Sequence, residues 1–109
     1  MFAVPSVSEL PTSSRASLTW SECNQLAAAT RCLPGRWEAQ WDRDDRGHVS
    51  VALLRDDDGV VGAAGVLLVW REDGCLRLGF GQDDTYVGLG THADVDGVMN
   101  AVRRRLQGT

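Results

Sequence analysis

The hydrophobic and polar positions of the chain change period twice, from helical spacing to alternation and back. Thr19 and Glu22 form a capping-box pattern before a helix-favouring stretch that runs to Cys32, and the proline and glycine at 34–35 end it. Near the other end, apolar residues recur every three or four positions along 95–106. The pattern therefore predicts a helix on each side of a different middle region.

That middle region alternates apolar and polar positions between turn residues, which predicts about five antiparallel strands. The predicted strands span residues 37–42, 48–55, 60–70, 75–81 and 86–91. The stretch 60–70 is apolar on both faces and holds two glycines, which predicts a central strand with a bulge at a glycine. We therefore predict an α+β fold, an antiparallel sheet flanked by an N-terminal and a C-terminal helix packed on one face.

Local signals place the ends of these elements. The Asp-Gly pair at 58–59 predicts a hairpin turn, and Thr91 with Asp94 resembles a capping box that starts the last helix. Residues 1–18 are rich in serine and contain two prolines, so we interpret them as a flexible N-terminal arm. Residues 19–109 are then long enough for a single α+β domain.

The four tryptophans are predicted to lie in two environments. Trp37, Trp41 and Trp70 fall on strands, and we expect them to fill the core between sheet and helices. Trp20 falls on the first turn of the N-terminal helix, where we expect partial exposure. An exposed indole there would serve as an anchor for a partner.

Composition narrows the function classes. Fifteen acidic residues outnumber eleven basic ones, all of them arginine, and the formal net charge is −4. The absence of lysine excludes a lysine nucleophile, a Schiff base and a Walker-type phosphate lysine. The acidic balance argues against direct binding of nucleic acid and is compatible with a basic partner protein. The longest apolar run, 60–70, is too short to cross a membrane.

Neither a metal nor a cofactor is expected. Cys23, Cys32 and Cys75 lack both the spacing of metal ligands and the even number of a disulfide framework, which favours a reducing cytoplasm. Residues 88–93 match a dinucleotide-binding glycine pattern, but too little chain follows them for the parallel strand that such a unit requires. We interpret them as glycines at a strand-to-helix junction.

The last predicted hairpin offers one candidate for catalysis. If Gly81 lies opposite Tyr86, an unbroken antiparallel register places Cys75 opposite His92. A thiol beside an imidazole is the core of a cysteine nucleophile, and Asp94 would orient the ring. A cysteine-dependent enzyme is therefore an alternative, but the sequence identifies no oxyanion donor, so we assign no catalytic residues.

The same register predicts an unusual strand surface. Leu78 opposite Leu89 and Phe80 opposite Val87 would face the core. The other face would carry four glycines among three larger side chains: Arg77, Tyr86 and His92. Because glycine weakens a strand, four together suggest the close approach of a partner, a ligand or another part of this chain.

We expect a small, acidic, non-enzymatic protein that binds a protein partner with a basic surface. Its acidic turns are the predicted contact points: Asp42, Asp44, Asp45, Asp56, Asp57, Asp58, Asp83 and Asp84. In size, acidity and helix–sheet–helix layout the chain is similar to immunity proteins of bacterial polymorphic toxins and to phage-encoded inhibitors such as anti-CRISPRs, which implies an inhibitor. The alternatives are a homodimer or a module like the acidic type III secretion chaperones, although those have a helix between their strands.

Overall fold

The computed structural model describes residues 15–57, 60–83 and 85–107. There are two helices, α1 (Trp20–Thr30) and α2 (Val95–Gln107). The strands are β1 (Arg15–Ala16), β2 (Trp37–Arg43), β3 (Val49–Asp57), β4 (Val60–Glu72), β5 (Cys75–Gln82) and β6 (Thr85–His92). The predicted α+β arrangement is confirmed.

The five long strands form one antiparallel sheet in the order β2-β3-β4-β5-β6, and the short β1 pairs with the end of β4. Each long strand is therefore hydrogen-bonded to its neighbour in sequence, as in a simple meander. The helix α1 contacts β2 and β3, the helix α2 contacts β5 and β6, and the two helices contact each other. Both helices thus pack on the same face of the sheet.

The core is the layer between the helices and this face. The sheet contributes fully buried aliphatic side chains at alternate positions: Val51, Leu53, Val69, Leu76 and Leu78. The helices contribute Cys23, Leu26, Val98, Met99 and Val102. Each buried aliphatic side chain of this size stabilises the fold by about 1.5–3 kcal/mol relative to an exposed one. This layer therefore joins the predicted apolar stripe of α2 to the predicted alternation of the strands.

The prediction that three tryptophans fill this core is wrong for two of them. Trp37 packs against the core from its edge. Trp41 is 40% exposed and contacts the ring of Trp20, whose own exposure is 73%. Trp70 lies on the other side of the sheet, because it pairs with Arg77 while the neighbouring Val69 points into the core. Leucine, valine and methionine already fill the helix–sheet layer, and Trp41 on the edge strand lies at its margin.

The helix α1 begins as predicted. The Thr19 side chain accepts a hydrogen bond from the Glu22 N–H (3.1 Å), and the Glu22 carboxylate accepts one from the Thr19 N–H (2.9 Å), which completes the capping box. The second carboxylate oxygen of Glu22 pairs with the guanidinium of Arg71 on β4. One residue therefore both caps α1 and joins it to the centre of the sheet.

The helix α2 begins one turn later than the predicted capping pattern. Thr91 remains within β6, and Asp94 takes the capping position directly before Val95. The Gly97 N–H donates to Asp94 Oδ1 at 2.9 Å, which satisfies one of the free amides of the first turn. The pairing of Thr91 with Arg77 on β5 extends the strand and prevents Thr91 from acting as a cap.

The predicted bulge in β4 spans residues 62–65 and includes Gly65. The pairing of β3 with β4 shifts between Leu54, opposite Val66, and Asp56, opposite Val61. Gly65 has φ of +103°, and a Cβ at this position would lie 2.5 Å from Cζ of Phe80. Glycine is required here because the backbone conformation and the aromatic ring both exclude a side chain.

Residues 15–18, which the sequence assigns to the arm, belong to the fold. Arg15 and Ala16 pair with β4, the Ser17 hydroxyl accepts from the Val49 N–H (2.8 Å), and Leu18 is buried in the core. The rest of the predicted arm and the Asp-Gly turn at 58–59 lie outside the described residues. Among the described helices, neither is long and apolar enough to cross a membrane.

A pair of glycine substitutions tests the packing at Gly65. Gly65→Ala and Gly47→Ala both place a side chain at positive φ, but only Gly65 contacts a neighbour, since a Cβ at Gly47 meets nothing within 4 Å. We expect Gly47→Ala to cost about 1–2 kcal/mol of backbone strain. We expect Gly65→Ala to cost about 1–3 kcal/mol more, from overpacking against Phe80. Urea denaturation measures both, and equal costs would contradict the contact.

Candidate binding surface

The face of the sheet opposite the core is not covered by any helix or strand of the described chain; we call it the open face. Its central positions are apolar and partly exposed: Ala52, Leu54, Val66, Leu68, Trp70 and Tyr86. Ala52 lies opposite Leu68, and Leu54 lies opposite Val66, so these side chains are adjacent. The solvated face of an antiparallel sheet normally carries polar residues. The apolar side chains at the centre of the open face do not contribute to the helix–sheet core, and such a patch is typical of a binding surface.

Charged residues border the apolar centre along β2 and at one end of β4 and β5. Along the edge strand β2, Glu38 and Asp42 point to the same side as Ala52. At the end of β4 and β5, Arg77 Nε lies 3.0 Å from Glu72 Oε1, and Arg77 Nη2 lies 3.4 Å from Asp73 Oδ2. Among these five charged residues, four carboxylates accompany one arginine. The open face has an apolar centre and an acidic margin.

The arginines are concentrated on the other side of the molecule. On the strands, Arg43, Arg55 and Arg71 pair with residues that point toward the helices. Three more arginines, at 103–105, lie near the end of α2. The alternation of the strands and the position of α2 thus separate charge, with most described arginines on the helix side. Of the arginines on the five long strands, Arg77 faces the open side.

The glycines of the open face are partly explained by Tyr86. The ring of Tyr86 lies across Gly79, where a Cβ would collide with the tyrosine hydroxyl and ring. Its centroid is 6.1 Å from that of Trp70, with a tilt of 46° between the planes. Gly79 is buried by this contact, whereas Gly88 beside it is exposed and has nothing within 4 Å of its Cβ position. The close approach suggested by the sequence is therefore made at Gly79 by this chain's own tyrosine.

The predicted opposition of Cys75 and His92 is wrong. Gly81 lies opposite Tyr86 as assumed, but the register shifts by one residue after Gly79, with Leu89 as the extra residue. Leu76, not Cys75, therefore lies opposite His92. A one-residue shift moves side chains to the other face, so the bulge in β6 places His92 on the helix side, while Cys75 on β5 stays on the open side with Arg77.

His92 lies beside the first turn of α2. A Cβ at Gly97 would be 3.2 Å from Cβ of His92, so the glycine leaves room for the imidazole. The Nε2 atom of His92 is buried and has no hydrogen-bond partner among the described residues. Gly90, predicted on the same face as Gly88, is likewise moved, because it lies opposite the buried Leu78. Neither residue belongs to the open face.

The thiols occupy three separate environments. Cys23 is buried in the core, and this burial, followed by the nearby Glu22 carboxylate, raises the pKa of its thiol. Cys32 is exposed at the end of α1, and Cys75 is partly exposed beside Glu72. The described part of the chain also brings together no group of three His, Cys, Asp or Glu side chains able to hold a metal ion.

The first acidic turn has both structural and exposed members. Asp44 Oδ1 accepts hydrogen bonds from the N–H groups of Arg46 (2.8 Å) and His48 (2.9 Å), so this carboxylate shapes the turn between β2 and β3. Asp42 and Asp45 are exposed. Asp42 belongs to the margin of the open face, and Asp45 extends from the turn next to it.

The other predicted acidic turns lie at the opposite end of β3 and in the last hairpin. The Asp56 N–H donates to the Arg36 carbonyl (2.7 Å), which ties this end of β3 to the segment before β2. Asp57 ends β3, and its side chain is outside the described set, as are Asp58 and Asp84 entirely. Asp83 is exposed, with φ of +55°. The described acidic turns therefore do not form one continuous patch.

The sequence interpretation missed the apolar centre of the open face. It included Tyr86 and Arg77 but not Leu54, Val66 or Leu68. A signal was present: β3, like β4, is apolar at consecutive positions from Val51, although helices were predicted on one face only.

No family model matches the chain, and neither does a curated protein sequence or a solved structure.

A double-mutant cycle tests the contact between Gly79 and Tyr86. We expect Gly79→Ala to lower the free energy of unfolding by about 1–3 kcal/mol, because the new methyl collides with the ring. In a Tyr86→Ala background the same substitution should cost less than about 0.5 kcal/mol. Gly88→Ala is the control and should be neutral or stabilising. Additive effects of Gly79→Ala and Tyr86→Ala would contradict the packing.

Proposed function

We propose that this protein binds a basic partner protein through the open face and acts as an inhibitor of immunity type. The observation that carries the proposal is the apolar centre of that face inside an acidic margin. Protein interfaces commonly combine an apolar centre that loses its water with a polar rim that remains hydrated. Trp70 and Tyr86 supply the aromatic side chains that dominate binding energy in such centres.

The charge distribution supports a basic partner. The margin of the open face carries Glu38, Asp42, Glu72 and Asp73 against Arg77. Charges at a rim mainly accelerate encounter and select the partner, while the apolar centre supplies the affinity. Because most described arginines lie on the helix side, an approaching basic protein is attracted to one side and repelled by the other. This asymmetry orients the partner before contact.

The geometry of the face supports a broad protein surface as the ligand. The side chains of Leu54, Val66 and Leu68 lie on adjacent strands. Gly88 on β6 is exposed and has no side chain to project from the surface. A sheet of this kind presents a broad, gently twisted surface, which a second protein matches better than a small molecule. Blocking a basic functional surface on the partner is the inhibitory step that we propose.

The same apolar centre also supports a second candidate, a homodimer or chaperone-like module formed across the open face. Two copies stacked face to face would bury both centres, as in a sheet sandwich. Stacking with β2 over β2 would place the acidic margins in contact at Glu38 and Asp42, where like charges oppose association. We therefore rank the basic partner first.

The free cysteines are compatible with a reducing compartment such as the cytoplasm.

Matched substitutions on the two faces of the sheet test the proposal. Leu68→Arg places a charge in the apolar centre, whereas Val87→Arg places one at an exposed position (48%) whose neighbours point to the helix side. The wild-type protein is used as bait to capture partners from a lysate of the cells that encode it. Each captured protein is identified and purified, and its affinity for the wild type and for each variant is measured by titration. We expect the authentic partner to be basic, to bind the wild type and Val87→Arg equally, and to lose at least about 100-fold in affinity for Leu68→Arg.

Further measurements make the result decisive. Thermal unfolding of each variant verifies that it folds, and Ala52→Arg replaces Leu68→Arg if that variant does not. Binding should weaken as salt rises, because the acidic margin acts by charge. Equal loss with Val87→Arg would overturn the assignment of the face. A wild-type dimer in sedimentation equilibrium that Leu68→Arg dissociates would assign the face to a second copy instead.

A further inference from the structure

We propose that a pocket on the helix side of the sheet binds a small apolar carboxylate. The pocket lies between the end of α2 and the strands, on the opposite side of the sheet from the open face. Phe80 and Leu67 form its floor, and Trp37 and Leu106 form its walls. Gly65 and two arginines, Arg55 and Arg105, complete the lining. The site thus combines an apolar interior with positive charge.

The aromatic parts of the pocket are held in place by the backbone. The ring of Phe80 lies against Gly65, where the bulge in β4 leaves space for it. The indole N–H of Trp37 donates to the Pro34 carbonyl at 2.9 Å, so this ring is fixed and its polar atom is satisfied. The floor and one wall are therefore preorganised, which lowers the entropic cost of binding a ligand.

Arg105, an exposed residue, supplies the positive charge that an anionic ligand would meet at the pocket. Its guanidinium carbon lies 4.5 Å from the centroid of the Phe80 ring. None of the carboxylates in the described part of the chain forms an ion pair with Arg105, although the protein is acidic overall. Arg55 already makes contacts of its own and supplies additional positive potential. The guanidinium of Arg105, held over the Phe80 ring, can direct its planar N–H donors toward a ligand in the pocket.

The size of the pocket limits the ligand. It is a cleft, open to solvent on one side, of about 220 Å³, below the ~300 Å³ at which pockets for drug-sized ligands begin. One ring or a short alkyl chain with a single acidic group is the appropriate scale. A carboxylate is favoured over a phosphate because a singly charged planar head matches the guanidinium fork and loses less hydration beside apolar walls. Such a group occurs in a free acid or at the carboxyl end of a peptide.

Titrations followed by two-dimensional NMR of the full chain test the proposal. Phenylacetate is the probe, and its neutral counterpart 2-phenylacetamide isolates the contribution of charge. We expect phenylacetate to shift the Trp37 indole N–H signal and to bind at least about tenfold more tightly than the amide. Arg105→Gln should weaken phenylacetate by about tenfold or more while leaving the amide unchanged. Arg104→Gln, an exposed neighbour outside the pocket lining, is the matched control and should bind like the wild type.

Other probes determine the ligand class and its source. Tighter binding of phenyl phosphate than of phenylacetate would overturn the carboxylate assignment. N-acetylphenylalanine, compared with its amide, mimics a peptide end; tighter binding than phenylacetate identifies a chain terminus, and weaker binding identifies a free acid. The proposal is overturned if phenylacetate shifts no pocket signals, if the amide binds equally well, or if Arg104→Gln weakens binding as much as Arg105→Gln. Thermal unfolding of both variants verifies that each is folded.

Discussion

Packing of both helices on one face of the sheet is the constraint on which the rest of the structure depends. The helices α1 and α2 contact each other and cover the same layer of aliphatic side chains. The ion pair between Glu22 and Arg71 joins α1 to β4, and Asp94 starts α2 directly after β6. With both helices used on one side, the described chain has no element to cover the other. The apolar residues of β3 and β4 that point that way form the centre of the open face.

One-sided packing also separates the charges. Alternation along a strand assigns successive residues to opposite faces, so arginines in phase with the core residues lie on the helix side. Arg55 and Arg105 then meet at the pocket over Phe80, while Glu38 and Asp42 border the open face. An acidic chain thereby acquires one negative surface and one positive pocket. The two proposed binding sites follow from the same alternation and have opposite electrostatic preferences.

Two irregularities determine which residues these sites contain. The bulge at Gly65 makes room for Phe80 and so forms the floor of the pocket. The bulge at Leu89 moves His92 and Gly90 to the helix side, which separates His92 from Cys75. Without that bulge the strand would present a thiol opposite an imidazole. A single inserted residue therefore removes the sequence-based case for a Cys75–His92 pair.

Local interactions within the sequence determined the elements of this protein. The alternation of β2 and β3, the helical stripe of α2 and the capping box of Thr19 and Glu22 each act over a few residues, so their patterns predicted the α+β fold. The tertiary structure decided which face each residue occupies after a bulge, and hence the positions of His92 and Gly90. It also decided that Trp70 lies on the open face and that Arg105 meets Phe80. Those outcomes depend on strand register and on contacts between distant segments, for which the spacing of residues along the chain carries no direct signal.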